Sequence, residues 1–119
     1  MTHKTNIRVR YAETDKMGLV YYGNYATYFE VGRVEFLRSK GISYKQLEDD
    51  GVMMPVVELN IKYKRPAKYD DLLTIKSSIS EMNDERVVFF QEVYNENEKL
   101  LTSGSIELAF IDSSSMRSI

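Results

Sequence analysis

"NYATYFEVGRVEFLRSKG", residues 24–41, is the segment on which the fold turns. Tyr25, Tyr28, Phe29, Gly32 and Phe36 recur at helical spacing with Val34 and Leu37 on the flank, so residues 24 to 40 read as a helix with one broad apolar stripe. Arg38 and Lys40 sit in the last turn, where cations suit the helix dipole, and Gly41 is a natural residue to end it. Gly32 lies on the apolar stripe, at a cost of about 1 kcal/mol of helix propensity relative to alanine. A glycine there predicts that another element approaches the helix backbone closely.

The flanking segments have a different period. Before the helix, "TNIRVRY" (5–11) alternates, with Ile7, Val9 and Tyr11 on one face of a half-buried strand. After it, Ser43 caps a short second helix, "YKQLEDD", that Gly51 ends. From Pro55 onward the pattern is two. Val57, Leu59, Ile61 and Tyr63 alternate with Glu58, Asn60, Lys62 and Lys64 until "RPAKYDD" stops the strand. Leu73, Ile75, Ser77 and Ile79 form the next inner face, followed by a turn at "MNDE". Val87, Phe89 and Val93 share a face, but Val88, Phe90 and Tyr94 make the opposite face apolar too. After "NENE", Gly104, Ile106, Leu108 and Phe110 line a last long strand, and the tail from about 113 is expected to fray.

Short turns make neighbouring strands antiparallel, so one sheet and one long helix give an α+β class. Two folds fit: the hotdog fold, a long central helix wrapped by a curved antiparallel β-sheet, and the cystatin-like cone. One strand before the helix and the rest after it favours the hotdog fold. Residues 1–119 are expected to form a single domain.

Composition narrows the chemistry. The chain is 43% hydrophobic and 29% charged with net charge −2, an ordinary globular balance that gives no global attraction to nucleic acid or anionic membrane. No apolar run approaches the roughly 20 residues that span a bilayer, and the first ten residues lack a secretory apolar region. With no cysteine, a reducing, cytoplasmic setting is expected, and thiolate nucleophiles and Cys-bound metals are excluded. His3 is the only histidine and lies near an end expected to fray, so no His-based triad or metal site is expected. Carboxylates, tyrosines, lysines and backbone amides remain.

Those groups concentrate in "YAETDKMGLVYYGNY", residues 11–25. Asp15 reads either as a turn residue accepting backbone amides or as a reactive carboxylate opposite the helix start. Asn24 reads as an N-cap, Tyr25 and Tyr28 as core tyrosines, and Glu30 with Arg33 as a surface pair. In the functional reading, Gly23 keeps the helix start bare, so its unpaired N–H groups can hold an oxyanion.

Residues 11–38, "YAETDKMGLVYYGNYATYFEVGRVEFLR", resemble the signature of the 4-hydroxybenzoyl-CoA thioesterase-like acyl-CoA thioesterases, which have the hotdog fold. The matching elements are Thr14-Asp15, Gly18, Val20-Tyr21, Asn24-Tyr25, Tyr28-Phe29-Glu30 and Arg33, and "YKRPAKYDDLL" (63–73) looks like the family's Pro-Ala and Asp-Asp turn. The resemblance implies an acyl-CoA thioesterase in which Asp15 is the catalytic carboxylate, as base or nucleophile. The amides of Tyr22 and Gly23 would polarise the thioester carbonyl, and Asn24 and Tyr25 would line the substrate. Many bacterial members carry His where this chain has Tyr22. The family also implies a homodimer, often a tetramer, with sites between protomers, and the apolar faces around Val87–Phe90 suggest a second buried surface.

Coenzyme A enters as part of the substrate, with no separate cofactor or metal expected. Its phosphates need cations, for which Lys62, Lys64, Arg65 and Lys68 are candidates; a solvated strand edge is their other reading. A hotdog hydratase would need a catalytic histidine, and a non-catalytic acyl-CoA-binding module would have no use for Asp15.

Overall fold

The computed structural model describes residues 1–118. The chain runs β1 (Thr2–Arg8), α1 (Asn24–Ser39), α2 (Tyr44–Asp49), β2 (Val52–Met53), β3 (Val56–Tyr63), β4 (Leu72–Met82), β5 (Arg86–Tyr94), β6 (Leu100–Ala109), β7 (Ile111–Asp112) and β8 (Arg117–Ser118). Five strands form an antiparallel sheet in the order β1-β4-β5-β6-β3. A register shift occurs in each of the pairs β3–β6, β4–β5 and β5–β6, and such bulges bend and twist a sheet. The sheet therefore curves around α1, which is the hotdog architecture expected from the element order.

Alternation decides which strand residues meet the helix. Leu73, Ile75 and Ser77 of β4, Val87, Phe89, Gln91 and Val93 of β5, and Ile106 and Leu108 of β6 are buried on one face. Tyr25, Tyr28, Phe29 and Phe36 of α1 pack into them, as their spacing predicts. Two glycines permit the contact. A Cβ on Gly32 would lie 2.7 Å from Ile75 Cγ2 and 2.8 Å from Ser77 Oγ, and one on Gly104 would lie 2.8 Å from the Phe29 ring. Ser43 caps α2 by accepting from the Gln46 amide at 3.0 Å, as read from the sequence.

Several expectations are corrected. The first strand begins earlier and ends at Arg8, because its register is set by pairing with β4 from Thr2↔Ser78 to Arg8↔Leu72. His3 is thus a paired strand residue with its ring edge-on to Phe36, and Tyr11 falls in a 3-10 turn. Arg33 is not a surface partner of Glu30. It is buried at 6% exposure and donates to Gln91 Oε1 at 3.2 Å, while Gln91 donates to Phe29 O and Ser77 Oγ. Residues after 112 turn back, with Met116 N–H donating to Asp112 O, and β8 pairs with β7 instead of fraying.

The close approach at Gly32 makes a sharp expectation. Gly32→Ala should lower stability by about 1–3 kcal/mol through overpacking although alanine is the better helix former. A urea unfolding midpoint that falls relative to wild type checks it; a rise would mean that the neighbouring side chains yield freely.

Candidate active site

The loop between β1 and α1 is a chain of short-range bonds. Asp15 N–H donates to Leu19 O at 2.8 Å and Gly18 N–H to Asp15 O at 3.0 Å. The Asp15 side chain completes the turn, its Oδ1 accepting from Met17 N at 2.8 Å and from Leu19 N at 3.3 Å. Gly18 has φ +76°, a left-handed conformation that glycine adopts without strain. The turn reading of Asp15 is met by one of its two oxygens. One builds the loop, and Oδ2 has no protein donor among the described residues.

The loop is fastened on two sides. Val20 N–H donates to Ala67 O at 2.9 Å and Tyr69 N–H to Gly18 O at 3.0 Å, which seats it on the "RPAKYDD" turn. On the other side Glu13 ties it to α1. Its carbonyl accepts from Asn24 Nδ2 at 2.8 Å and Tyr21 N at 2.9 Å, and its carboxylate accepts from Tyr28 Oη at 2.9 Å and Arg10 N at 2.9 Å. Burial pushes the Tyr28 phenol well above its usual range, and the Glu13 carboxylate beside it adds to the effect. Partial burial also works to raise Glu13, but donors from the Arg10 backbone, Tyr28 and the Arg10 side chain outweigh it and hold the carboxyl below its ordinary value.

Asn24 is the first helical residue, not the cap; Gly23 holds the N-cap position at φ −66° and ψ −21°. Asn24 and Tyr25 amides turn back to Tyr21 O and Tyr22 O, at 2.9 and 3.3 Å. Among the described residues, the amides of Tyr22 and Gly23 have no acceptor. The Tyr25 hydroxyl accepts from Ala67 N at 3.1 Å, and burial pushes this phenol up. Tyr63 Oη donates to Tyr22 O at 3.3 Å.

A cleft of about 510 Å³ opens among these groups, lined by Asp15, Tyr22, Tyr25, Tyr63, Lys64 and Arg65, with Leu19, Val20, Tyr21 and Pro66. Gly23 and Asn24 adjoin its wall without lining it. Of the four cations, Lys64 and Arg65 reach the cleft, their amides both bound to Leu101 O. Lys62 and Lys68 do not; Lys62 is one residue from Tyr63 on β3 and so projects from the other face. Sequence reading passed over Tyr63 and Glu13. Tyr63 was signalled by sharing the period of Leu59 and Ile61, whereas nothing local marked Glu13. Among the described residues, no group of three His, Asp or Glu side chains could hold a metal ion, and no helix is long and apolar enough to cross a membrane.

The chain is similar to known proteins in sequence and in fold. Residues 17–102 match the family model described as the thioesterase superfamily. The YneP protein of Bacillus subtilis (strain 168) is 36% identical over 98% of this chain and 84% of its own length. The acyl-CoA thioester hydrolase YbgC of Escherichia coli O6:H1 is 32% identical over 93% of this chain and 83% of its own. A solved DHNA-CoA thioesterase from Staphylococcus aureus superposes with a TM-score of 0.96 at 40% identity, covering 99% of this chain and 79% of that one. The chain belongs to the thioesterase superfamily, and with it to the hotdog-fold thioester hydrolases.

The Glu13 tie has a pH signature. Because its folded value is depressed, its stabilising contribution is fully present above the unfolded value, ordinarily 4.5, and is lost as pH falls through the folded value. Melting temperatures from pH 7 to pH 3 should therefore fall more steeply for wild type than for Glu13→Gln. Parallel curves would show that the carboxylate contributes nothing through ionisation.

Proposed function

We propose that this protein hydrolyses acyl-CoA thioesters to a carboxylic acid and free coenzyme A, with Asp15 as the catalytic carboxylate. The observation that carries the reading is the junction of Asp15, one oxygen fixed and the other without a protein donor, with a helix start whose Tyr22 and Gly23 amides have no acceptor. Asp15 either takes a proton from water as it attacks the carbonyl carbon or attacks that carbon itself, forming a mixed anhydride that water then opens. In either route the carbonyl oxygen gains negative charge, which two N–H groups at the positive end of α1 can hold. The C–S bond then breaks and the coenzyme A thiolate leaves, to be protonated from solvent.

The substrate lies across the same cleft. Lys64 and Arg65 are exposed and enter none of the ion pairs among the described residues, so they are free to meet the phosphates of coenzyme A. Tyr21, Tyr22, Tyr25 and Tyr63 give the wall an aromatic character that suits a planar acyl group, and the Staphylococcus aureus relative is named for DHNA-CoA as its substrate.

Steady-state kinetics on folded variants test the assignment. Asp15→Asn keeps an acceptor for the Met17 and Leu19 amides, so kcat should fall at least about 10²-fold without loss of fold. Gly23→Pro removes an N–H that bonds nothing in the protein, at a φ that proline adopts, and should cost about 10²–10³-fold. Tyr22→Phe should cost less than about tenfold. Full activity in Asp15→Asn would overturn the catalytic role, and a larger loss in Tyr22→Phe than in Gly23→Pro would make the phenol the working group.

We further infer a homodimer joined through β3. This strand is an unpaired sheet edge, and Val56, Val57 and Leu59 are 51%, 59% and 43% exposed. The outer face of β5 is a weaker candidate, since Phe90 stands there between Ser78 and Ser105. Sedimentation should give twice the chain mass for wild type. A Val57→Lys, Leu59→Lys variant should sediment as a monomer and lose activity; an unchanged dimer would move the interface elsewhere.

A further inference from the structure

A second cavity, of about 560 Å³, lies at the opposite end of α1 from Asp15. Phe36 and Phe89 meet edge to face at its base, ring centres 5.7 Å apart, and Leu47, Met54, Ile79 and Met82 supply walls. Among the described residues, Lys40 is the one charged residue that lines it. The two ends of the 16-residue α1 are roughly 24 Å apart, and Tyr28 and Phe29, fully buried, fill the core between them. An acyl group held at Asp15 does not reach this place.

Lys40 has no anionic partner in any ion pair among the described residues. Its ammonium donates to the thioether of Met1, a weak acceptor, and lies 5.9 Å from the centre of the Phe36 ring. The helix carbonyls nearby do not repel an anion strongly, because Leu37 O accepts from Lys40 and Ile42 amides and Arg38 O from Gly41 N–H. An apolar hollow with one cation at its rim fits a ligand with a long apolar body and one negative end. Methionine walls add adaptability to a flexible chain.

We propose that this cavity binds an unesterified, medium-chain aliphatic carboxylate, its tail against Phe36, Phe89, Met54 and Met82 and its head at Lys40. A nucleotide or coenzyme A is excluded by chemistry, since its phosphates would need several donors where the cavity offers one. This site is independent of the role given to Asp15.

Dodecanoate titrated into wild-type protein labelled at the methionine methyls tests the proposal. Met54 and Met82 signals should shift saturably, whereas Met17, next to the Asp15 turn, serves as the distant control. Each two-carbon step from octanoate to dodecanoate should tighten binding about tenfold. Lys40→Gln should weaken dodecanoate two- to about fivefold and leave dodecanol unaffected. Ile79→Trp, which narrows the cavity from an already part-exposed position, should reduce affinity at least about tenfold, and Asp15→Asn should bind as wild type does. Saturable shifts at Met54 and Met82 that exceed those at Met17 support the site, and equal shifts at all three would count against it. Shifts confined to Met17, or none that saturate below millimolar dodecanoate, would overturn it, as would shifts that follow protein concentration and not ligand.

Discussion

The whole structure rests on how closely α1 can lie in the trough of the sheet. Where Gly32 passes Ile75, Ser77 and Gln91 there is no room for a single carbon, and the reciprocal gap at Gly104 is filled by the Phe29 ring. Backbone and sheet touch directly at these points, so the helix has little freedom to slide or roll. Interiors packed to crystal-like density transmit such constraints over several residues. The N-terminus of α1, and with it the amides of Tyr22 and Gly23, is held at a fixed height above the strands.

That contact brings polar groups into the core. Gln91 faces the helix from β5 and reaches the free carbonyl side of Phe29, and Arg33 turns inward to bind Gln91. Buried polar groups are tolerable when bonded, and this cluster fixes the rotation of α1 about its own axis in a way that aliphatic contacts alone would not. Tyr25 does the same at the helix start by receiving the Ala67 amide, so the "RPAKYDD" turn and the Asp15 loop share one foundation.

Much of this was legible in the sequence because period and geometry coincide. The inward faces of β4, β5 and β6, the extent of α1 and the close pass at Gly32 all follow from spacings of two and of three to four. The parts that were not legible depend on partners distant in the chain. Arg33 reads as a surface residue until Gln91 and Ser77 arrive from two other strands. The span of β1 is set by its ladder with β4 and not by its own alternation. In the candidate site, Asp15, Tyr22, Tyr25, Lys64 and Arg65 line one cleft, while Lys62 and Lys68 lie outside it because cations adjacent in sequence diverge on a strand and around a turn. Glu13 escaped notice because its role lies in bonds to residues 24 and 28, reached only after the loop closes.

The division of labour within the Asp15 carboxylate has a consequence for how this position can vary. Oδ1 is an architectural atom, needed by the Met17 and Leu19 amides for the loop to keep its shape, and an amide oxygen would serve as well. Only Oδ2 carries the reactivity proposed for the residue. Asparagine would therefore leave a loop indistinguishable in outline from the active one, and an inert paralogue of this fold could differ from a working enzyme by the identity of one terminal atom. Glutamate, by contrast, would place its charge a methylene farther out and forfeit the turn. For a small helix-and-sheet scaffold, shape at this position is a poor witness to chemistry, and the chemical identity of residue 15 is the better one.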